Sequence, residues 1–195
     1  MTFRPWVAGL ALLAAAACGE PTGVRANFET RADTLSAYAM SLTPIEYPSA
    51  LKTVSIGLAA PQVVRASGDV PFDVAFDLAS DGRVVLLPVR LVVPGASSTI
   101  ATRVGLQTSD SAFATLSRAP RSGYQYDSLA VTVDTGKTVV IEVTENRYCQ
   151  GFIGQTIYSK LVVDSVQATA RRIFFRTVTD PNCGFRSFLP GVPKS

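Results

Sequence analysis

Apolar and polar residues alternate over much of the chain, and the clearest example lies in residues 72–78. Apolar side chains occupy every second position there, from Phe72 to Leu78, while Asp73 and Asp77 lie on the other side. A period of two residues predicts a β-strand with one buried face. The two aspartates are accordingly expected on a solvated outer face.

The next apolar stretch, residues 84–93, predicts a second strand that follows a turn at residues 80–82. Its odd-numbered positions, from Val85 to Val93, are all apolar and are predicted to face the core. Pro88 has no N–H to donate to a neighbouring strand. We therefore expect this strand to lie at a sheet edge or to carry a bulge.

Two more pairs of alternating segments, each joined by a short turn, predict further hairpins. One pair is residues 129–133 and 139–143, joined through residues 134–137, and the other is residues 156–166 and 171–178, joined through residues 167–170. Weaker strand patterns cover residues 28–42, 53–58 and 100–106.

One short helix is predicted over residues 110–118, with Ser109 as its cap, Phe113 and Leu116 on its apolar face, and Pro120 at its end. No helical pattern alternates with the strands, and roughly eight to ten strands with short turns are typical of sandwiches and barrels. The sequence predicts an all-β fold, an antiparallel β-sandwich that is Ig-like or related. A closed β-barrel is the alternative.

The first 17 residues have the pattern of an export signal. Arg4 supplies the positive charge, and an uncharged run of eleven residues from Val7 to Ala17 follows. A membrane-spanning helix needs about 20 residues, so this run is too short to stay in the membrane. The predicted organisation is a signal peptide (1–17), a tether (18–26) and a single β-domain (27–195).

Residues 15–18, Ala-Ala-Ala-Cys, resemble the lipobox of bacterial lipoproteins. The resemblance implies cleavage before Cys18 and attachment of lipid to its thiol. Gly19 in place of Asp implies sorting to the outer membrane of a Gram-negative-type envelope, facing the periplasm or the surface. The same small residues also satisfy an ordinary A-x-A cleavage site, so a secreted or soluble periplasmic protein is the alternative.

The three cysteines fit the lipoprotein interpretation. If Cys18 carries lipid, Cys149 and Cys183 remain as a pair, and they flank the predicted hairpin that ends near residue 178. We therefore predict a disulfide between them. Residues 157–188 also resemble the C-terminal part of small, uncharacterised envelope lipoproteins, a likeness that implies no site residues.

Composition excludes several classes of function. The net charge is +3, and removal of residues 1–17 with their single Arg leaves +2, without a basic cluster that would predict nucleic-acid binding. The chain has no histidine, which excludes Ser-His-Asp and Cys-His triads and histidine-ligated metals. Neither a nucleophile elbow nor a phosphate-binding loop is present. We therefore predict no catalytic residue, no metal and no cofactor.

Three groups of side chains are weaker candidates for chemistry. Of the aspartates at positions 69, 73, 77 and 81, only Asp73 and Asp77 share a predicted strand face, and these two are too far apart to chelate one ion alone. Glu142 and Glu145 have the residue types of a glycosidase acid–base pair, but nothing places a sugar between them. Aromatic residues near loops form a candidate binding surface: Tyr124, Tyr126, Tyr148, Phe152 and Tyr158.

The sequence thus predicts a non-enzymatic envelope lipoprotein, attached to a membrane through Cys18, whose domain binds a protein or an envelope polymer. Two alternatives stay open. One is a small barrel that binds an apolar ligand, as lipocalins do, and the other is a hydrolase that uses carboxylates.

Overall fold

A computed structural model of the chain describes residues 26–193 except 56, 58, 96–101, 128, 145–146 and 150–154. The predicted signal peptide, Cys18 and most of the tether therefore lie outside the described residues. Glu145 and Phe152 lie outside them as well.

The described residues form two antiparallel sheets. In chain order the strands are β1 (Arg31–Tyr38), β2 (Ala50–Lys52), β3 (Gln62–Val64), β4 (Val74–Leu78), β5 (Val84–Pro88), β6 (Arg103–Ser109), β7 (Gln125–Tyr126), β8 (Val131–Val133), β9 (Thr138–Thr144), β10 (Ile157–Gln167) and β11 (Arg172–Asp180), with one α-helical turn, α1 (Val89–Val92), after β5. The six-stranded sheet has the order β1-β11-β10-β9-β6-β7, and the five-stranded sheet has the order β3-β2-β4-β5-β8.

The core lies between the two sheets, because both contribute fully buried apolar side chains to one cluster. Phe76 of β4 stacks on Phe175 of β11, with ring centroids 4.7 Å apart. Both sheets are open, so the predicted all-β sandwich is confirmed and the closed-barrel alternative is wrong for the described residues. Among those residues, no helix is long and apolar enough to cross a membrane.

The predicted hairpin near the C-terminus is confirmed. β10 and β11 pair from Tyr158 opposite Asp180 to Gln167 opposite Arg172, with a register shift between Val163 and Ser165. This long hairpin sits in the middle of the larger sheet, since β9 pairs with β10 and β1 pairs with β11. It positions the cysteines discussed below.

The hairpin predicted for residues 129–143 is wrong. β8 pairs with β5 in one sheet, whereas β9 pairs with β6 and β10 in the other. The turn itself exists, because the N–H of Lys137 bonds to the carbonyl of Asp134, but the N–H of Gly136 bonds across to Val163. The turn carries the chain from one sheet to the other, and local alternation cannot distinguish that crossing from a hairpin.

The strand predicted over residues 84–93 is shorter than expected and faces the other way. β5 ends at Pro88, where α1 begins, and the even-numbered Val84 and Leu86 are buried while Val85 is partly exposed. β5 is not an edge strand, because it lies between β4 and β8. Pro88 is tolerated at its end, because β8 pairs with β5 only as far as Leu86. Both faces are apolar, so periodicity did not identify the buried one.

The helix predicted over residues 110–118 is also wrong. One turn forms where the N–H of Leu116 bonds to the carbonyl of Ala112. Lys160 of β10, only 4% exposed, then donates from Nζ to the carbonyls of Phe113 (2.5 Å) and Leu116 (2.8 Å). These tertiary bonds hold the segment as a loop against the sheet.

The weaker strand patterns fare unevenly. β1 lies inside residues 28–42 and β6 overlaps residues 100–106. The strand predicted over residues 53–58 is wrong for the described residues of that segment, because the nearest strand, β2, ends at Lys52. The short strands β3 and β7 gave no clear pattern, because two or three residues do not establish a period.

Candidate functional site

The side chain of Asn182 fastens the start of the described chain to the segment after β11. Its Oδ1 accepts the N–H groups of Asn27 (2.8 Å) and Phe28 (3.0 Å), and its Nδ2 donates to the Phe28 carbonyl at 2.8 Å. Asn182 is only 5% exposed. The end of the predicted tether therefore joins the domain at a fixed point, which we call the anchor end.

A disulfide lies beside this attachment. Cys149 and Cys183 are bonded, with Cα atoms 5.7 Å apart, so the predicted pairing is confirmed. Both residues are buried. Cys183 follows Asn182 directly, so the disulfide holds the same segment that holds residues 27 and 28.

The anchor end also contains a buried carboxylate that the sequence analysis did not single out. Asp180 has no exposed surface, and its Oδ1 accepts the backbone N–H (3.0 Å) and Nδ2 (2.8 Å) of Asn182. Among the residues that the structure describes, its Oδ2 has no hydrogen-bond partner. Burial raises the pKa of Asp180 above its ordinary value, because the charged form is poorly solvated there.

Three of the five candidate aromatic residues come together on the larger sheet. The ring of Tyr124 lies 6.4 Å from the rings of both Tyr126 and Tyr158. Tyr158 is 8% exposed, whereas Tyr124 and Tyr126 keep partial exposure. Tyr148 packs elsewhere, against the main core. A binding surface that uses all five residues stays a prediction.

The carboxylate of Glu142 lies at the centre of these tyrosines and is 6% exposed. Tyr158 donates its hydroxyl to Oε1 at 2.8 Å, and Tyr126 donates its hydroxyl to Oε2. Burial, together with the nearby carboxylate, raises the pKa of Tyr126 to about 12 and shifts the pKa of Tyr158 upward. Both hydroxyls therefore stay protonated at neutral pH and keep donating.

This Glu142 cluster links three strands of one sheet, because Tyr126 is on β7, Glu142 on β9 and Tyr158 on β10. The guanidinium of Arg103 also lies 4.1 Å from the centre of the Tyr126 ring. Charge-assisted hydrogen bonds of this kind are strong, so the arrangement stabilises the short edge strand β7. The other half of the suggested acid–base pair, Glu145, lies outside the described residues.

The expectation that Asp73 and Asp77 share a solvated face is wrong. Asp73 has no exposed surface and accepts hydrogen bonds from Lys52 Nζ (2.7 Å), Thr53 N (2.7 Å) and Thr102 Oγ1 (2.9 Å). Asp77 is partly buried and pairs with Arg171. Within the part of the chain that the structure describes, no three His, Cys, Asp or Glu residues are grouped to hold a metal ion.

A cavity of about 260 Å³ lies at one side of the sandwich, where the β6–β7 edge approaches β8. The volume is below the usual range for small-molecule sites. Gln107 Oε1 is buried there and has no hydrogen-bond partner within the described part of the chain. Polar lining groups make this cavity a poor match for an apolar ligand; it is lined by Leu106, Gln107, Thr108, Gly123, Gln125 and Val131.

Exposed apolar side chains occur at both ends of β1. The loop between β1 and β2 carries Leu42 (89% exposed), Ile45 (73%) and Tyr47 (42%). At the anchor end, Phe28 is 44% exposed and Leu189 is 58% exposed. These two groups lie at opposite ends of the strand, so they offer two separate surfaces.

Comparisons with models of protein families, with curated proteins and with solved structures found no match to this chain.

Proposed function

We propose that this chain is a non-enzymatic lipoprotein of the bacterial envelope, held in the outer membrane by a lipid on Cys18. The observation that carries the proposal is the disulfide between Cys149 and Cys183. It uses two of the three cysteines, so Cys18 has no cysteine partner within the chain. An odd thiol needs a role in an oxidising compartment, and lipidation supplies one.

The attachment at Asn182 supports the same proposal. Asn27 and Phe28 are held by hydrogen bonds to a buried side chain beside the disulfide. Any force on a lipid-anchored tether would act on the domain at Asn27 and Phe28. Hydrogen bonds backed by a disulfide give the domain a firm attachment there.

The non-enzymatic role is supported by the hydrogen-bond partners of Glu142 and Asp73, the two buried carboxylates among the candidate groups named from the sequence. A general acid or base must come within hydrogen-bond reach of a substrate proton. Glu142 is hydrogen-bonded on both oxygens by tyrosines, and Asp73 is bonded by Lys52 and two threonines. Both carboxylates thus have structural partners that account for their burial.

Binding of a protein partner or an envelope polymer is supported by the loop between β1 and β2. Leu42, Ile45 and Tyr47 are all exposed on this one loop, and exposed apolar groups that lie close together often mark interaction sites. The loop lies at the end of β1 away from the anchor end. A membrane-tethered domain would therefore present it to the surrounding compartment.

The anchor is tested by expressing the full chain in a Gram-negative host grown with labelled palmitate. We expect label on the wild type and on the Cys149→Ala/Cys183→Ala variant, and no label on Cys18→Ala. Mass spectrometry of the purified protein should show cleavage before Cys18. Labelled Cys18→Ala, or a wild type that retains its leader, would refute the assignment.

The binding role is tested separately with envelope extracts and the lipidated protein, by crosslinking from position 46, which is exposed on the same loop. Leu42→Ser/Ile45→Ser should lose the crosslinked partner while keeping label and disulfide. Retention of the same partner by this variant would rule out the loop as the binding surface.

A further inference from the structure

Three exposed apolar side chains lie on two neighbouring segments at the anchor end. Phe28, Leu189 and Val192 are 44%, 58% and 47% exposed, and we call them the anchor-end patch. Single exposed apolar residues are common on protein surfaces and need no explanation. Here three exposed apolar side chains occur together where the domain follows its predicted tether, so the patch is a candidate contact surface.

The two segments of the patch are tied to each other and to the domain. The N–H of Thr30 bonds to the carbonyl of Gly191 at 3.1 Å, and Thr30 Oγ1 donates to the carbonyl of Leu189 at 2.5 Å. The Asn182 side chain also binds both the N–H and the carbonyl of Phe28. The patch is therefore a built surface and not the loose end of a chain.

The length of the intervening chain places this surface close to any lipid on Cys18. Eight peptide units separate Cys18 from Ala26, and they span at most about 29 Å when fully extended. β1 runs away from the patch for eight residues, or about 26 Å. The anchor end must stay near the bilayer, whereas the loop after β1 need not.

We propose that Phe28, Leu189 and Val192 insert into the interfacial region of the membrane that holds the lipid anchor. The inference rests on the proposed lipidation of Cys18 and goes further by naming the surface that touches the bilayer. Glu29 and Arg31, both exposed, follow Phe28 and carry opposite charges. Charged neighbours favour contact at the headgroup level over deep insertion.

The consequence is a fixed orientation of the sandwich. A lipid alone permits the domain to tumble on its tether, whereas a second contact restricts it. With the anchor-end patch at the membrane, β1 points outward and the loop that carries Leu42 faces the compartment. The orientation presents the loop for which we propose a binding role.

The chain offers a clean spectroscopic test, because its single tryptophan, Trp6, lies in the predicted leader. The mature protein would have none. Phe28→Trp and Leu189→Trp each place one reporter in the patch, and Leu42→Trp is the matched control at the far end. Each lipidated protein is reconstituted into phosphatidylethanolamine–phosphatidylglycerol vesicles whose acyl chains carry bromine, which quenches tryptophan on contact.

We expect blue-shifted emission and at least about twofold stronger quenching for positions 28 and 189 than for position 42, as interfacial burial predicts. Two further variants are made in a protein that carries Val192→Trp as the reporter. Adding Phe28→Ser/Leu189→Ser should reduce its quenching, whereas adding Leu42→Ser/Ile45→Ser should not. Disulfide content and thermal unfolding check that each variant is folded.

Two failures are distinguishable because mass spectrometry reports the lipid on every sample. Absence of lipid from Cys18 overturns the proposed function and the membrane contact with it. Lipid on Cys18 with equal quenching at positions 28, 189 and 42 leaves the anchor intact and overturns the patch.

Discussion

Asp73 and Asp180 are two aspartates with no exposed surface, and their surroundings differ in one decisive respect. Asp73 faces a cation, Lys52 Nζ at 2.7 Å, and both of its oxygens accept hydrogen bonds. Asp180 accepts two hydrogen bonds from Asn182 on one oxygen, and no cation pairs with it among the described residues. Burial alone does not set the effect of a carboxylate, because its partners decide whether the charge is stabilised or penalised.

The largest effect is expected at the paired site. Asp73→Ala leaves Lys52, whose side chain is only 14% exposed, and the N–H of Thr53 without their partner. Breaking one half of a buried ion pair costs about 3–5 kcal/mol. Urea unfolding should show a loss of unfolding free energy in this range. Asp81→Ala, which removes an exposed partner of Arg83, is the matched control and should change little; equal losses in both variants would contradict the comparison.

The next largest effect concerns the covalent frame around Asp180. Cys149→Ala/Cys183→Ala opens a cross-link between positions 34 residues apart, which costs about 3–4 kcal/mol in the chain-entropy model. Urea unfolding of this variant should match that of the reduced wild type. A variant as stable as the oxidised wild type would show that Asn182 and its neighbours hold the anchor end without the disulfide.

Glu142 provides a third environment, a buried carboxylate with neutral donors. Tyr158→Phe removes one hydroxyl from it, and a hydrogen bond to a charged group contributes about 1.5–3 kcal/mol. We expect a loss of unfolding free energy of this size. Tyr47→Phe is the control, since the Tyr47 ring is 42% exposed. Equal losses in both variants would contradict a stabilising role specific to the Tyr158–Glu142 hydrogen bond.

The smallest effect on the free energy of unfolding is expected at Asp180. Replacing this carboxylate should stabilise the protein at neutral pH, whereas the preceding variants should destabilise it. The pKa of Asp180 is raised in the folded state above the ordinary 3.8, so its stabilising contribution is complete below that value and is lost as pH rises through the folded-state pKa. Asp180→Asn does not titrate, and its amide oxygen still accepts from Asn182. The variant should gain stability relative to the wild type as pH rises from about 3 to about 7.

Urea unfolding of both proteins across this pH range checks the prediction. Asp73→Asn is the contrasting variant. It removes a charge that is paired with Lys52, so it should destabilise the protein at neutral pH. A wild type that loses stability relative to Asp180→Asn as pH falls would reverse the assignment of Asp180 as the penalised carboxylate.

The sequence predicted the parts of the fold that depend on neighbouring residues. The alternation in β10 and β11 with a short turn between them gave the central hairpin, and the cysteines that flank it gave the disulfide. The same reasoning failed where two interpretations share one local pattern. It treated the turn between β8 and β9 as a hairpin, and it chose the wrong face of β5, because both of its faces are apolar.

The candidate site was predictable only in part. Tyr124, Tyr126 and Tyr158 were singled out because aromatic residues cluster near loops, and Glu142 because it alternates out of an apolar strand. Strand order brings Glu142 to these tyrosines, since β9 lies between β10 and β6 and β7 pairs with β6. Asp180 and Asn182 gave no signal beyond a turn-like sequence.

The sequence by itself determined the all-β class and the disulfide pair, and it predicts the lipid anchor. These features depend on residue type and on short spacings. Tertiary structure decided which sheet each strand joins and which partner each buried charge finds. Thr102 reaches Asp73 across 29 residues, and Phe28 reaches Asn182 across 154. Contacts over such separations form only when the whole sandwich is assembled, so no local pattern encodes them.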